Sequence, residues 1–389
     1  MKRIINTEKL PILLWLDQID PEALTQAKNL ANHPKTFKHI ALMPDCHPGY
    51  AMPIGAVLAT QDCLLPNAVG VDIGCGMVAV KTNLTRIATP TLKKILGDIR
   101  RVVPVGFAHH PHPQNTTLMP RSPLLDDSHS VVFQEYRLAL TQIGTLGGGN
   151  HFIEIQQAEN SLIWVMLHSG SRNIGFRVAH YYQQQARSFS QKYQTQVPPI
   201  WQLDYLPLDS SLGQKYLIEM NYCLDFAFAN RRLMLDRVQQ IIKDHLPSVK
   251  YSDFINIAHN YAASETHFAH KLFIHRKGAT EALPGNIGII PGSQGSRSYI
   301  IKGLGNLDSF QSCSHGAGRR LGRRQAQRTL DLSAEINRLD HQGILHAIRG
   351  TRDLDEAPGA YKDIDQVMAN QSDLVAILHS LRPLAVIKA

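Results

Sequence analysis

No apolar run in this 389-residue sequence approaches the roughly 20 residues that a helix needs to cross a bilayer. The longest are Leu10–Leu16, broken by Pro11, and Leu162–Leu167, so helices that span a membrane are excluded. Cysteine is sparse and odd in number: Cys46, Cys63, Cys75, Cys223 and Cys313. That argues against a disulfide framework and for reduced thiols. Internal repeats and low-complexity tracts are missing. An apolar share of 43% and a charged share of 19% exclude wholesale disorder. The first residues, Met1-Lys2-Arg3-Ile4-Ile5-Asn6, hold no long apolar stretch and no small-residue cleavage site. A cytoplasmic protein is therefore expected.

What is present is a surplus of positive charge and of histidine. Forty Lys and Arg stand against 32 Asp and Glu, a net +8. Mild basicity fits a polyanionic partner such as nucleic acid, and equally a protein that is merely basic. Nineteen His residues are many for this length. Several sit in polar, Gly-rich loops, where packing gives little reason for an imidazole, so they point to metal or acid–base chemistry.

Along the chain, residues 19–35 read as a polar helix. Phe37–Met43 reads as a strand ending in the turn Pro44-Asp45-Cys46-His47-Pro48-Gly49. Val57–Ala59, Ala68–Val71 and Met77–Thr82 read as strand pieces, and 91–101 as a helix. Residues 104–124, rich in Pro and His, read as a surface loop in which His109, His110 and His112 are exposed and inert. Apolar residues from Leu217 to Ile242 recur at spacings of three and four, which predicts one long helix over 210–245. Helices are also expected near 331–346 and 362–379. Strands and helices mix without regular βαβ alternation. The expected fold class is therefore α+β, with mixed or antiparallel sheets and surrounding helices.

Potential ligands fall at strand ends beside glycines. Val71-Asp72-Ile73-Gly74-Cys75-Gly76 sets a carboxylate and a thiol three residues apart in a tight turn, able to close on one cation. A Cys packed as a small hydrophobe beside a turn Asp would look the same. Next, Gly147-Gly148-Gly149-Asn150-His151-Phe152-Ile153-Glu154 precedes Leu167-His168-Ser169-Gly170-Ser171-Arg172. A hairpin turning on Glu159-Asn160 would pair 158 with 161 and carry His151 opposite His168, about 5 Å apart. The alternative is two unrelated histidines at strand ends. His259 follows another short strand. His315 lies in Ser312-Cys313-Ser314-His315-Gly316-Ala317-Gly318, a turn suited to phosphate, where an imidazole serves as ligand, acid or nucleophile. Pro291-Gly292-Ser293-Gln294-Gly295-Ser296-Arg297-Ser298 is either a nucleotide-holding loop or a plain turn. Arg319, Arg320, Arg323, Arg324 and Arg328 recur at helical spacing, as a phosphate-tracking stripe or a solvated face.

These motifs, with His259-Asn260-Tyr261, resemble in content and order the RtcB family of tRNA-splicing and RNA-repair ligases. The resemblance runs from about Phe37 onward. It implies the family's own α+β fold as one catalytic domain over 1–389. It also implies an enzyme that joins RNA ending in a 2′,3′-cyclic phosphate or 3′-phosphate to RNA with a 5′-hydroxyl, using GTP and two Mn²⁺ ions. The implied metal ligands are Asp72, Cys75, His151, His168 and His259, with Cys75 as the bridge. Asp72 and His151 would hold one ion, and His168 and His259 the other. The implied nucleophile, which takes GMP, is His315. Guanylate-binding positions carry over to Asn150, His151, Phe152, Ile153, Glu154, His259, Asn260, Pro291, Gly292, Ser293, Gln294, Ser298, Gly316, Ala317, Gly318 and Lys388. Arg172, Lys277 and Tyr361 fall around the same site. The ligand set alone suits Zn²⁺ as well as Mn²⁺. Expected partners are RNA ends and an archease-type activator, with no membrane. Cys46 in the Pro44–Tyr50 turn and the 104–124 loop depart from the family pattern. Rival readings are a metal-dependent phosphodiesterase that opens cyclic phosphates without sealing, and a non-catalytic RNA-binding protein.

Overall fold

The computed structural model describes residues 1–389. Two large sheets organise the chain. The first has six strands in the order Arg3–Ile5, Ile12–Leu14, Thr36–His47, Ile54–Thr60, His270–Lys277, Asn260–His267. It is mixed, because Ile12–Leu14 runs parallel to Thr36–His47. The second has seven strands in the order Tyr251–Ala258, Gly76–Thr82, Ile163–Ser169, Phe152–Ala158, Val375–Ile387, Ser298–Gly303, Ile287–Ile290. It is antiparallel throughout. Helices pack around both sheets, so the fold class is α+β, as expected.

The chain passes between the sheets at two places that matter. Strand Ile54–Thr60 of the first sheet leads through 61–75 into Gly76–Thr82 of the second. Strand Tyr251–Ala258 of the second continues, after the single residue His259, into Asn260–His267 of the first. Asp72, Cys75 and His259 therefore sit where the sheets meet.

The long helix is Ser211–His245. Its start is fixed by Ser210, whose side chain accepts from the Gly213 N–H. Tyr216, Met220, Cys223, Met234, Val238 and Ile242 are buried along it. At helical periodicity they make a continuous apolar face, each side chain contributing about 1.5–3 kcal/mol on burial. That face serves one core with helix Arg172–Tyr193 and a second with helix Thr89–Val102 and the seven-stranded sheet. No helix is long and apolar enough to cross a membrane.

Four expectations need correction. Ala68–Val71 is not a strand piece; Pro66–Val69 forms one helical turn, with Pro66 supplying the preset φ of a first helical position. The Pro44–Gly49 turn begins later, because strand Thr36–His47 runs through Pro44 and Asp45. The last helix is short, Ile364–Ala369, and Val375–Ile387 is a strand whose β-branched and aliphatic run pairs on both edges. In the hairpin, Phe152, not His151, pairs with His168. The loop has three residues, Glu159–Ser161, and Ser161 takes a left-handed φ of 69°.

The 104–124 segment is a loop with a short 3₁₀ turn, Thr116–Leu118. His109 and His112 are exposed, as expected, and His110 is not. His110 is half-buried and its Nε2 accepts from Arg237 Nη1 at 2.9 Å, while His109 meets the Gln142 amide at 2.9 Å. The Gly106 N–H also donates to the Gly147 carbonyl at 3.0 Å, fastening this loop to the Gly147–Gly149 turn.

Candidate active site

Five side chains converge at the sheet junction in the order Asp72, His151, Cys75, His168, His259. His151 Nε2 lies 3.1 Å from Asp72 Oδ2 and 3.3 Å from Cys75 Sγ. Cys75 Sγ lies 3.2 Å from His168 Nε2, which lies 3.2 Å from His259 Nε2. His151 reaches this cluster although it is out of register with His168, because it stands just before the strand, where the chain is not yet committed to alternation. The imidazole planes of His151 and His168 meet edge to face at 5.2 Å.

Local chemistry fixes the aim of these groups. His168 Nδ1 donates to the Asn150 carbonyl at 3.1 Å, which turns the lone pair of Nε2 toward Cys75 and His259. Burial holds His168 and His259 neutral, their pKa values well below the usual imidazole range. Gly170 leaves room for the carboxylate, since a Cβ there would stand 2.1 Å from Asp72 Oδ1. Beneath the cluster, Arg231 Nη1 donates to the carbonyls of Gly74 at 2.7 Å and Ser169 at 2.9 Å. Its neighbour Asn230 accepts from the N–H groups of Gly144 and Thr145, at 2.7 and 3.1 Å, and donates to the Gly170 carbonyl at 3.1 Å. Two buried polar residues of the long helix thus tie down three of the loops that carry or flank the ligands.

The cluster is under-satisfied as protein alone. The buried Nδ1 atoms of His151 and His259 have no partner. Burial and the Asp72 charge push the Cys75 thiol up, so its thiolate form needs positive charge nearby. Cys75, His151 and His168 offer donor atoms within 4.8 Å of one another, a thiol and imidazole set that suits a divalent cation.

Beside this cluster stands His315, with ring centroids of His259 and His315 4.8 Å apart. His315 leaves strand Ser312–Ser314 and is held by Asp45. Asp45 Oδ2 accepts from His315 Nδ1 at 2.7 Å, from the His315 N–H at 3.1 Å and from the Gly316 N–H at 3.3 Å. Asp45 is fully buried; burial opposes its charge, but His315 facing it holds the carboxyl below the usual range. A proton on Nδ1 leaves the Nε2 lone pair of His315 for chemistry. Gly318 packs its backbone on strand Thr36–His47, at φ +72° and with no space for a Cβ, which would lie 2.2 Å from the Asp45 carbonyl oxygen.

Both groups open into one cavity of about 2060 Å³. Asn150, Phe152, Glu154, Asn260, Pro291–Gln294, Gly316–Gly318, Lys277, Tyr361 and Lys388 also line it. Strand alternation sends Phe152 and Glu154 to the cavity and Ile153 into the core with Val78, Leu167 and Val238. Ser298 does not line it either; its hydroxyl accepts from the Gly292 N–H at 3.1 Å and so sets the Pro291–Gln294 loop. Arg172 lies behind the cavity, donating to Thr145 Oγ1 at 3.0 Å and the Gly106 carbonyl at 2.8 Å. Asn260 bridges the sheets, donating to the Asp72 carbonyl at 3.2 Å and accepting from the Gly278 N–H at 2.8 Å. Burial raises the Glu154 carboxyl to about 7 and lowers Lys277 to about 7.

A second carboxylate hub, Glu356, has no motif around it. It takes Lys388 Nζ at 2.7 Å, Arg323 Nη1 at 2.6 Å and Arg319 Nη1 at 3.3 Å, together with the Tyr361 hydroxyl. Burial opposes its charge, but Lys388 and Arg323 hold it down to about 2. Arg319 and Arg323 are thus neutralised inside the site, and the helix starts only at Arg323, so no five-residue arginine stripe exists.

The family model described as tRNA-splicing ligase RtcB matches residues 26–129 and 122–389. RNA-splicing ligase RtcB1 of Escherichia coli strain ATCC 25922 is 36% identical over 409 aligned positions, covering 99% of each chain. RNA-splicing ligase RtcB of E. coli K12 is 36% identical over 407, again 99% of each. The tRNA-splicing ligase RtcB of Nanoarchaeum equitans is 33% identical over 442, covering 95% of this chain and 92% of its own length.

Proposed function

The chain belongs to the RtcB family, and from that premise we propose that it is a GTP-dependent RNA ligase of RNA repair or tRNA splicing. It joins a 2′,3′-cyclic phosphate or 3′-phosphate end to a 5′-hydroxyl end, and the whole chain acts as one catalytic unit. The observation that carries this reading is the Asp45–His315 pair, 2.7 Å apart, beside the five-donor cluster.

In this scheme His315 Nε2 attacks the α-phosphorus of GTP; a P–N bond forms and pyrophosphate leaves. Asp45 keeps the proton on Nδ1 and offsets the positive charge that the ring acquires. An oxygen of the RNA 3′-phosphate then attacks the GMP phosphorus and His315 departs, leaving RNA(3′)pp(5′)G. The 5′-hydroxyl attacks the RNA phosphorus, and GMP leaves. Cyclic ends are first opened by water. Two Mn²⁺ ions, one with Asp72 and His151, one with His168 and His259, and both with Cys75, would supply Lewis-acid stabilisation of phosphate charge. Asn150, Phe152, Glu154, Asn260, Pro291–Gln294, Gly316–Gly318 and Lys388 surround GTP, and Ser298 shapes their loop. An archease-type activator and a cytoplasmic setting belong to the same reading.

Incubation with α-labelled GTP and Mn²⁺ tests it. The expected product is a covalent, acid-labile GMP adduct that His315→Ala abolishes while metal binding persists. Opening of cyclic phosphate ends with no adduct would favour the phosphodiesterase; neither adduct nor turnover would favour a non-catalytic RNA-binding protein.

A further inference from the structure

The mouth of the cavity is divided by charge, and its basic part is unassigned. We propose that Arg320, Arg338 and Arg382 form the track that holds the phosphates of the RNA strand, a reading that rests on the ligase function above. The three come from separate elements: the loop after His315, helix Leu332–His341 and strand Val375–Ile387. All are exposed and all line the cavity. None has a carboxylate partner. Arg338 makes no hydrogen bond, Arg320 Nη2 donates to the Gly359 carbonyl at 3.1 Å, and Arg382 meets Gln157. Arg319 and Arg323, in contrast, are neutralised by Asp355 and Glu356. Guanidinium groups turned into one cavity without counter-charge repel one another and are offset by a polyanion.

Another stretch of the lining is acidic and disfavours that polyanion. Asp17, Asp20 and Glu22 line the cavity from the start of the first helix, and Asp363 and Asp365 from the start of the Ile364–Ala369 helix. Asn370 Nδ2, donating to Asp17 Oδ2 at 3.1 Å, ties the two acidic segments together. A strand leaving the His315 site is therefore repelled on the acidic side and held on the arginine side. Arg324 and Arg328, exposed on the helix that begins at Arg323, do not line the cavity and lie off the track.

The test measures binding of a labelled single-stranded RNA with a 3′-phosphate across a range of salt. Each lost phosphate contact removes about 0.7 from the slope of log affinity against log salt for single strands. Arg338→Ala/Arg382→Ala is expected to lower the slope by about 1.4, and Arg338→Lys/Arg382→Lys to restore it. Arg324→Ala/Arg328→Ala is expected to keep the wild-type slope. A wild-type slope in the Arg338/Arg382 alanine variant, or a lowered one in the Arg324/Arg328 variant, overturns the track. Wild-type protein incubated with labelled GTP reports on the ligase reading separately: no adduct together with a lowered slope in Arg338→Ala/Arg382→Ala would sink that reading and leave the track standing.

Discussion

Single carboxyl groups carry much of the chemistry, and each is set by what surrounds it. Asp45 accepts from two donors of His315 and from the Gly316 N–H, so its charge and its geometry act together. Asp45→Asn keeps the shape and removes the charge that orders the Nδ1 proton. Guanylylation of His315 in a single turnover is expected to slow on the order of 10²-fold or more. Metal affinity is expected to stay, because Asp45 touches no member of the cluster. An unchanged rate would mean that Asp45 only braces the loop. Glu154 is the opposite case: burial raises it from 4.5 to about 7, with Gln156 Nε2 donating to it at 2.6 Å. The folded state then holds that proton more tightly than the unfolded chain. Stability is full below the unfolded value and declines as pH rises to about 7, by at most about 3 kcal/mol. Glu154→Gln removes the titration. Urea unfolding without nucleotide is expected to give the variant a flatter profile than wild type between pH 5 and 8. Parallel profiles would show that Glu154 is charged in the fold throughout.

At the scale of elements, the long helix does more than fill two cores. Arg231 reaches from it to the carbonyls of Gly74 and Ser169, which neighbour Cys75 and His168. Arg231→Met preserves bulk and deletes those bonds, so divalent-metal affinity measured by calorimetry is expected to fall roughly 10–100-fold. Retained affinity would place the ordering of the ligand loops elsewhere. The helix itself was legible, since the apolar spacing over 210–245 returns as Ser211–His245. The role of Asn230 and Arg231 was not, because a polar pair inside a helix carries no sign of what lies under it. The ligand loops were legible from Gly-rich turns at strand ends. The hairpin register failed by one residue because Ser161 adopts a left-handed φ that its side chain does not advertise. The helix expected near 362–379 takes in the start of strand Val375–Ile387, since a short apolar run has no decisive period. Asp45 read as a turn residue; its partner stands 270 positions away. Glu356 likewise meets Lys388, Arg319 and Arg323 only in three dimensions.

On the scale of the whole molecule, the cluster is a joint between two sheets. Cys75 and His168 belong to the seven-stranded side, and His259 is the single residue between strands of the two. Asn260 adds a direct link from Asp72 to Gly278. Metal bound there stabilises the folded state in both sheets at once, by about 2.7 kcal/mol per site at a free metal concentration of 100 times Kd. Hydrogen exchange with and without Mn²⁺ reads this out by segment. Protection is expected to rise together in Gly76–Thr82 and Ile163–Ser169 of one sheet and in Asn260–His267 of the other. Cys75→Ala, which removes the donor shared by both halves of the cluster, is expected to abolish the gain in every segment. His259→Ala is expected to keep part of it on the Asp72–His151 side, because those two ligands remain. A gain confined to the loops of one sheet, or an equal partial loss in both variants, would show two independent sites rather than a joint bridged by Cys75.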